Sequence, residues 1–216
     1  MKIVKASAEI VKMKSPEEIM LNIEEAGRTC YKSEDKITFG SAHKHIKALI
    51  KSGHESVIEH ESATVKFICD RGFSHELVRH RLSSFSQEST RYANYSKDKF
   101  NNEITVISPC FWYADSLEFS IWEDAMQKCE ISYLDLLKNG SSSEMARSVL
   151  PTSLKTEVIM TSNFRQWRTV LNQRCSKKAH PQMREVMIPL LKEFYSRIPV
   201  LFQDLYDKYI KEVKNE

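Results

Sequence analysis

The chain has 216 residues, enough for one substantial hydrophobic core or at most two small ones. Hydrophobic residues make up 41% and charged residues 28%, and the scarcity of glycine (5) and proline (6) favours long elements with few loops. A formal net charge of +3 is too small to require a nucleic-acid partner, so local clusters of arginine are more informative than the total.

The N-terminal third predicts two strands that flank two helices. Residues 2–12 alternate weakly in polarity and predict a first strand. A capping box that begins at Ser15 predicts the start of a helix. A second helix is predicted over residues 41–52, with Gly53 as its terminator. The alternation in ATVKFIC, residues 63–69, predicts a strand with one buried face.

The middle of the chain predicts a short helix, a strand and a long helix. Ser74 is a suitable cap for the short helix, and Leu77 and Val78 would point into the core. EITVIS, residues 103–108, predicts a strand. The segment SLEFSIWEDAMQKCEISYLDLLKNG predicts a long amphipathic helix that ends at Gly140.

The C-terminal part predicts one more strand among helices. A short helix over residues 145–150 precedes a strand over residues 154–162. Asn163 caps the next helix, and Pro181 and Pro199 open the last two. Because strands are few and separated by uneven numbers of helices, we expect an α+β fold. It would be a single mixed domain over residues 1–216, with a central, mostly antiparallel sheet and flanking helices.

The cysteines predict reduced thiols. They are odd in number and form no CxxC pair, which together with the absence of an apolar signal core predicts a cytoplasmic location. No stretch approaches the roughly 18 apolar residues of a membrane span, so we expect no membrane partner. Cys110 follows a proline, but no basic partner is evident nearby. We therefore expect it to be a lone buried cysteine and not a nucleophile.

RHRLSSFSQESTRY, residues 79–92, concentrates cations and hydroxyls without glycine. A helix C-terminus alone favours one or two cations through its dipole, which would account for Arg79 and Arg81. It does not account for Arg91, nor for the five serine and threonine residues in the segment. Guanidinium groups match phosphate oxygens two at a time, and hydroxyls can supply further hydrogen bonds. The segment therefore predicts a site for an anionic ligand.

Two other segments carry candidate functional residues. SGHESVIEH contains His54, Glu55, Glu59 and His60, but the histidines are not at HExxH spacing. This favours a hydrogen-bonded loop over a metal site, and we predict no metal. The helix after Asn163 combines an apolar stripe with three arginines. A solvated basic face and an anion site at its first turn both remain open. The stripe is Phe164, Trp167 and Leu171, and the arginines are Arg165, Arg168 and Arg174.

Four blocks in order resemble the flavin-dependent thymidylate synthase family. RHRLSSFSQES matches that family's signature of Arg-His-Arg, seven residues and then serine. GHESVIEH, MARSVLP and NFRQWRTVLNQRC resemble three further family segments, and the blocks together span about residues 50 to 185. The resemblance implies the family's fold and a homotetramer with shared active sites. It also implies FAD as cofactor, and dUMP, methylenetetrahydrofolate and NADPH as substrates, giving dTMP, tetrahydrofolate and NADP+.

The resemblance implies roles residue by residue. The residues it assigns to FAD are His54, Ser56, Arg79, His80, Arg81, Gln87, Asn163, Arg165 and Thr169. Those it assigns to dUMP are Glu76, Arg79, Gln87, Glu88, Ser89, Arg91, Arg147 and Arg174. Thr169 stands where the family usually has histidine or asparagine, and Glu76 stands where some members have glutamine.

Arg174 matches the arginine thought to activate the uracil ring. A cation against the ring edge would stabilise negative charge as it develops, so no protein thiol is needed. Ser89 is then a binding hydroxyl and not a nucleophile. Three alternatives stay open from the residues: a single-strand nucleic-acid binder using Arg79 to Arg81 with Tyr92 and Tyr95, a flavoenzyme for another nucleotide, and a cysteine-dependent thymidylate synthase using Cys110.

Overall fold

The structure is a computed structural model that describes residues 1–211. Its internal contacts divide the chain into two compact units. Unit 1 comprises Met1–Ser7, Phe67–Arg79 and Phe85–Ile159, and unit 2 comprises Ala8–Lys66, His80–Ser84 and the chain from Met160. Helix makes up 54% and strand 17%, which confirms the mixed fold class. One domain over residues 1–216 stays a prediction.

The described strands form two sheets. They are β1 (Lys2–Val4), β2 (Ser7–Met13), β3 (Ser62–Asp70), β4 (Ser84–Gln87), β5 (Thr105–Ile107) and β6 (Lys155–Asn163). β1 and β5 form a two-stranded parallel sheet in which Ile3 pairs with Val106. The other four strands form a sheet in the order β2-β3-β6-β4.

The pairing of β3 with β6 is antiparallel. The Thr64 and Thr161 hydroxyls lie 2.9 Å apart, and seven residues beyond Thr64 the Arg71 amide donates to the Thr152 carbonyl at 2.9 Å. Residue numbers therefore rise along one strand as they fall along the other. The predicted mostly antiparallel central sheet is confirmed.

Most helix boundaries follow the predicted signals. The α-helices are α1 (Pro16–Thr29), α2 (Ser41–Lys51), α3 (Arg71–Leu77), α4 (Leu117–Lys138), α5 (Ser143–Ala146), α6 (Phe164–Arg174), α7 (Pro181–Arg197) and α8 (Pro199–Tyr206). The Ser15 capping box opens α1, and the Asn163 carboxamide oxygen caps α6. Gly53 (φ +73°) and Gly140 (φ +89°) lie just beyond α2 and α4 in the left-handed region, where glycine carries no steric cost.

The cap of α3 was predicted wrongly. The Asp70 carboxylate accepts the Phe73 amide at 2.6 Å and caps the helix, while Ser74 lies inside it and donates to the Arg71 carbonyl. Aspartate and serine are both favourable N-cap residues. Because Asp70 precedes Ser74 and is the last residue of β3, the helix begins directly after the strand. Val78 is exposed, because the helix ends before it.

Two strand predictions also need correction. Residues 2–12 do not form one strand, because Lys5 and Ala6 separate β1 from β2 and the two strands belong to different sheets. β4 was not predicted, since SFSQ is short and rich in small polar residues. Among the described residues, no helix is long and apolar enough to cross a membrane.

Each unit has an aromatic core of its own. In unit 1, Tyr95 packs on Tyr133 with ring centroids 5.7 Å apart. In unit 2, the predicted stripe of α6 is buried, and Phe194 stacks on Phe202 at 5.0 Å. Truncating a buried aromatic side chain costs about 3–5 kcal/mol, so these clusters contribute strongly to the stability of each unit.

Candidate active site

The segment after α3 presents two exposed arginines. Arg79 and Arg81 are both exposed, and within residues 1–211 neither side chain has a hydrogen-bond or ionic partner. His80, between them, is buried instead. The arginines therefore offer their donors to solvent or to a ligand, while the histidine side chain lies in the protein interior. The FAD contacts expected of all three residues stay predictions.

His80 is bonded to the candidate catalytic arginine. Arg174, the last residue of α6, donates from Nε to Nε2 of His80 at 2.8 Å. Nε2 must carry a lone pair in this bond, so the proton of the neutral imidazole lies on Nδ1. The sequence assigned His80 and Arg174 to different ligands and did not predict the bond between them.

Gln87 is turned into the protein. Its Nε2 donates to the hydroxyls of Ser74 at 2.9 Å and Thr156 at 3.2 Å. Arg71 donates from Nη1 to the Glu88 carbonyl at 3.1 Å. These bonds fix the start of the loop that carries Ser89, so Gln87 anchors that loop and the roles predicted for its carboxamide with FAD and dUMP remain predictions.

The Glu88 carboxylate lies in a hydrogen-bonded cluster. The Tyr95 hydroxyl donates to it at 3.0 Å, and Lys155 Nζ lies 3.3 Å from Glu88 and 2.6 Å from Glu157. Burial, followed by the charge of Glu88, raises the pKa of Tyr95. Burial lowers the pKa of Lys155, but its bonds to Glu157 and Glu88 outweigh that effect and the pKa is raised overall. Lys155 therefore stays protonated between the two carboxylates.

A cavity of about 600 Å³ opens beside this cluster. Residues from the Gln87 loop line it together with Tyr92, Phe100 and Lys155. Its volume falls within the range of about 300–1,000 Å³ that is usual for ligand sites. Ser89 lies on its wall, where its hydroxyl accepts the Arg91 amide at 3.3 Å and remains able to donate.

Arg91 already has an anionic partner. Its Nε lies 2.8 Å from Oε1 of Glu144, and both side chains are about half exposed. Glu144 lies on α5, three residues before Arg147. A phosphate that binds Arg91 must therefore compete with Glu144. Arg147 is exposed and lines a separate cavity, of about 180 Å³, with Arg71 and His75. Glu76 is half-buried on α3.

The segment from His54 packs on α6 through ion pairs. It forms a 3-10 helix over Glu55–His60, with His54 and Ser56 exposed. Glu59 lies 2.5 Å from Arg165, and Glu55 lies 3.0 Å from Arg168. Both carboxylates that suggested a metal site are thus engaged by arginines, which also supports the hydrogen-bonded role predicted for this segment.

Arg168 does not belong to a solvated basic face. It is buried and bonds Asp204 at 2.7 Å, with further bonds to Glu55 and the Leu201 carbonyl. Burial lowers its pKa, but the bonds and charges of Asp204 and Glu55 outweigh burial and raise it. Burial raises the pKa of Asp204, yet the hydrogen bond and charge of Arg168 lower it overall. Arg168 is therefore a structural cation that joins α6 to α8.

Asn163, Arg165 and Thr169 follow one another along α6. The Asn163 carboxamide oxygen accepts the Gln166 amide at 2.8 Å, which leaves its NH2 group as the part able to bind a cofactor. The Thr169 hydroxyl donates to the Arg165 carbonyl at 3.2 Å and lies on a cavity of about 280 Å³. Its lone pairs remain available for a ligand.

Cys110 was predicted to be buried, and this is wrong. It is exposed, because it lies in the turn beyond β5, where Pro109 takes the buried position. Cys69 and Cys175 are the buried thiols among the described residues. Burial raises the pKa of Cys175 to about 12 and also raises that of Cys69, so neither forms a thiolate at neutral pH.

Comparison with known proteins identifies close relatives. The family model described as thymidylate synthase complementing protein matches residues 10–200. A flavin-dependent thymidylate synthase of Geobacter sulfurreducens is 32% identical over 83% of this chain and 78% of its own length. Another, of Corynebacterium aurimucosum, is 33% identical over 85% of this chain and 79% of its own. One of Pyrococcus furiosus is 31% identical over 79% and 70%.

A solved structure shares the fold. The UMP/dUMP methylase PolB of Streptomyces cacaoi, bound with 5-Br dUMP, superposes with a TM-score of 0.76. The match covers 94% of this chain and 96% of that chain at 23% sequence identity. At that identity the likeness shows a common fold and nothing further.

Proposed function

The chain belongs to the family of thymidylate synthase complementing proteins, and from this membership we propose that it converts dUMP to dTMP. In this proposal methylenetetrahydrofolate donates the carbon, and FAD reduced by NADPH supplies the hydride. The observation that carries the proposal is the family match over residues 10–200, joined by relatives named flavin-dependent thymidylate synthase at more than 30% identity. The proposal includes the cytoplasmic location predicted from the sequence.

We assign the flavin dinucleotide to the donor groups that the family resemblance names. Its diphosphate needs cations and hydrogen-bond donors, and Arg79 and Arg81 expose unpaired guanidinium groups in the described part of the chain. Asn163 adds an NH2 group at the start of α6, and Arg165, which pairs with Glu59, adds a cation two residues further on. When bound and reduced, FAD supplies hydride chemistry that no amino-acid side chain provides. The protein binds and orients it.

Arg174 is the residue that we propose to polarise the pyrimidine. Its guanidinium is permanently cationic and lies at the end of α6, where His80 accepts its Nε–H. Holding one edge of the guanidinium fixes the direction of the opposite edge. A fixed cation stabilises developing negative charge more effectively than a mobile one, because no reorganisation is needed during reaction.

The nucleotide phosphate requires several donors. Ser89 supplies a hydroxyl from an anchored loop, and Arg91 and Arg147 supply charge. Glu88 is held by Tyr95 and by Lys155, which also bonds Glu157, so it fixes the geometry next to Ser89. A loop without glycine can therefore bind a phosphate, because some of its side chains donate hydrogen bonds while neighbouring side chains hold the loop in place.

Homotetramer formation is part of the proposal. Helix α4 leaves Leu117, Ile121 and Ile131 exposed, and these three positions fall on one face at helical spacing. Exposed apolar residues on one helix face can be buried against another copy of the chain, which is the role that we propose for them. Size-exclusion chromatography with light scattering measures the number of copies.

One experiment tests the function. The purified chain is examined for flavin absorbance and then supplied with dUMP, methylenetetrahydrofolate and NADPH. We expect dTMP to form in proportion to bound FAD. UMP, supplied in parallel, tests the alternative of another nucleotide. A colourless protein that retains no added FAD but binds oligonucleotides with strong salt dependence would favour nucleic-acid binding instead.

A further inference from the structure

A buried carboxylate joins α1 to α2 in unit 2. Glu24 is 1% exposed, and its Oε1 accepts two bonds from Arg28, at 3.1 Å from Nε and at 2.9 Å from Nη2. Its Oε2 lies 2.8 Å from the hydroxyl of Ser41, the first residue of α2. Both carboxylate oxygens therefore have partners, and the buried charge has a cation beside it, as such a charge requires.

Glu24 also anchors the segment that connects the two helices, residues 30–40. The segment begins two residues after Arg28, whose carbonyl accepts two amides of the segment at 3.1 Å and 3.2 Å. At the other end, the Thr38 amide donates to the Ser41 hydroxyl at 3.0 Å. Both ends of the segment are thus held by residues that bond the same carboxylate.

His45 packs against α1 beside this carboxylate. A side chain at Gly27 would approach His45 Nε2 to 2.8 Å and a Leu49 methyl group to 2.9 Å, so glycine permits the close contact of the two helices. Among residues 1–211, His45 Nε2 is buried and has no hydrogen-bond partner. One nitrogen of the imidazole therefore lies against the backbone of α1, away from water and from any acceptor of the described chain.

The charged groups that face His45 are Glu24 and Arg28 of α1. Helix α8 also packs against α2, and its charged residue, Asp204, is bonded to Arg168. On α2 itself, the side chains three and four positions from His45 are uncharged. Burial, followed by the charge of Arg28, lowers the pKa of His45, and Glu24 opposes them with a smaller effect. The packed helices therefore favour the neutral imidazole.

We propose that His45 is a proton-sensitive contact, whose protonation loosens α1 from α2 and releases the anchored segment of residues 30–40. Protonated His45 places an N–H at a buried nitrogen and a positive charge near Arg28. The carboxylate that faces it, Glu24, is already bonded to Arg28 and Ser41. The new cation either stays unpaired or takes Glu24 from the bonds that anchor the segment, and both outcomes weaken the contact.

The direction of the pH effect follows from which state binds the proton. In the packed state the pKa of His45 lies below its ordinary value of 6.5, and it returns to that value when the helices separate. The open state therefore binds more protons, and opening becomes more favourable as the pH falls from 6.5 towards the lowered pKa. Well above pH 6.5 both states are neutral at His45 and the contact is intact. The device does not depend on the proposed reaction.

Hydrogen exchange of the full chain as purified tests the proposal, with each rate divided by the intrinsic rate at the same pH. We expect protection of the amides in residues 31–41 to fall by about threefold or more from pH 7.5 to pH 5.5 in wild type, and by less than about 1.5-fold in His45→Gln, which stays neutral. His45→Lys is charged at both pH values and should show low protection at both. His43→Gln, at an exposed histidine of the same helix, is the matched control and should behave as wild type.

Four results would overturn the proposal. They are protection in wild type that does not change with pH, an equal fall in wild type and His45→Gln, a fall of the same size in the amides of α7, which would be a change of the whole unit, and protection equal to wild type at pH 7.5 in a folded His45→Lys. If His45→Lys does not fold, the comparison of wild type with His45→Gln decides the proposal alone.

Discussion

Arg174 Nε donates a hydrogen bond to His80 Nε2 at 2.8 Å, although the two residues are 94 positions apart. The bond makes His80 a positioning residue for Arg174. Arg174 is half-buried at a helix end, and His80 is buried beside it. A guanidinium held at one edge keeps its remaining N–H groups in a defined direction.

His80→Leu removes the acceptor of the Arg174 Nε–H and retains the arginine itself. We expect kcat to fall by about 10²-fold, because Arg174 loses its orientation, with the KM for dUMP changing less than fivefold. His80→Gln retains an acceptor oxygen and should recover at least about tenfold of that loss. Steady-state kinetics with bound FAD quantified for each variant provide the measurement. Equal kcat values for the leucine and glutamine variants would remove the positioning role.

Arg174→Ala tests the catalytic assignment itself. We expect FAD to remain bound while kcat falls by about 10²–10³-fold, since removal of one charge-stabilising donor has effects of that size. Flavin absorbance and dTMP formation are measured on the same preparation. Arg197→Ala, at an arginine that pairs with Glu193 on α7, is the control and should retain full activity. Turnover in Arg174→Ala that matches wild type would refute the assignment.

Glu144→Gln removes the carboxylate that competes for Arg91. The pair is about half exposed, and such pairs contribute about 0–1 kcal/mol, so the KM for dUMP should fall by up to about fivefold. The substitution is isosteric and Glu144 has no proposed role in the chemical step, so kcat should stay constant. Initial rates over a range of dUMP concentrations measure the effect. A raised KM would mean that Glu144 holds Arg91 in its productive position.

Local signals were sufficient to predict much of the fold. The capping box at Ser15, the cap at Asn163 and the alternation of residues 63–69 each involve neighbours within a few positions, and all three are confirmed. Where two local signals competed, the prediction failed: Asp70 and Ser74 are both suitable caps, and only the end of β3 decides between them. β4 has four residues and no strong periodicity, so no local signal reveals it.

The candidate site was predicted as residue types and not as contacts. Arg165 and Arg168 are equivalent in sequence terms, since both lie on a basic helix. Arg168 is buried and bonds Asp204, 36 positions later on α8, as well as Glu55, 113 positions earlier. The partners of Gln87, Arg91 and Arg174 are likewise set by tertiary packing. Such pairings depend on chain segments that are distant in sequence, so composition and periodicity do not contain them.

Cys110→Ala tests whether Cys110 acts as a nucleophile. Cys110 is exposed, whereas the buried Cys69 and Cys175 have raised pKa values and remain protonated. We expect activity within about twofold of wild type, because the proposed chemistry uses no protein thiol. Inhibition by a thiol-alkylating reagent in wild type but not in Cys110→Ala would show only that a bulky group there obstructs the enzyme. Complete loss of dTMP formation in Cys110→Ala would instead support cysteine-dependent chemistry.

Asp204→Asn tests the structural ion pair at α8. Arg168 holds the pKa of Asp204 below its ordinary value of 3.8, so the pair stabilises the folded state above about pH 4. As the pH falls through the lowered pKa, Asp204 is protonated and this contribution is lost. Because Asp204 is half exposed, solvent screens the pair, and we expect Asp204→Asn to lower the free energy of unfolding by about 1 kcal/mol at pH 7. The difference between the two proteins should shrink below pH 4.

Urea unfolding of FAD-loaded wild type and variant at pH 7 and pH 3.5 measures both effects. Glu193→Gln, which breaks the exposed pair with Arg197 on α7, is the control, and its effect should be smaller because neither partner is buried. An Asp204→Asn effect no larger than that of Glu193→Gln would mean that Arg168 is held by Glu55 and the Leu201 carbonyl alone.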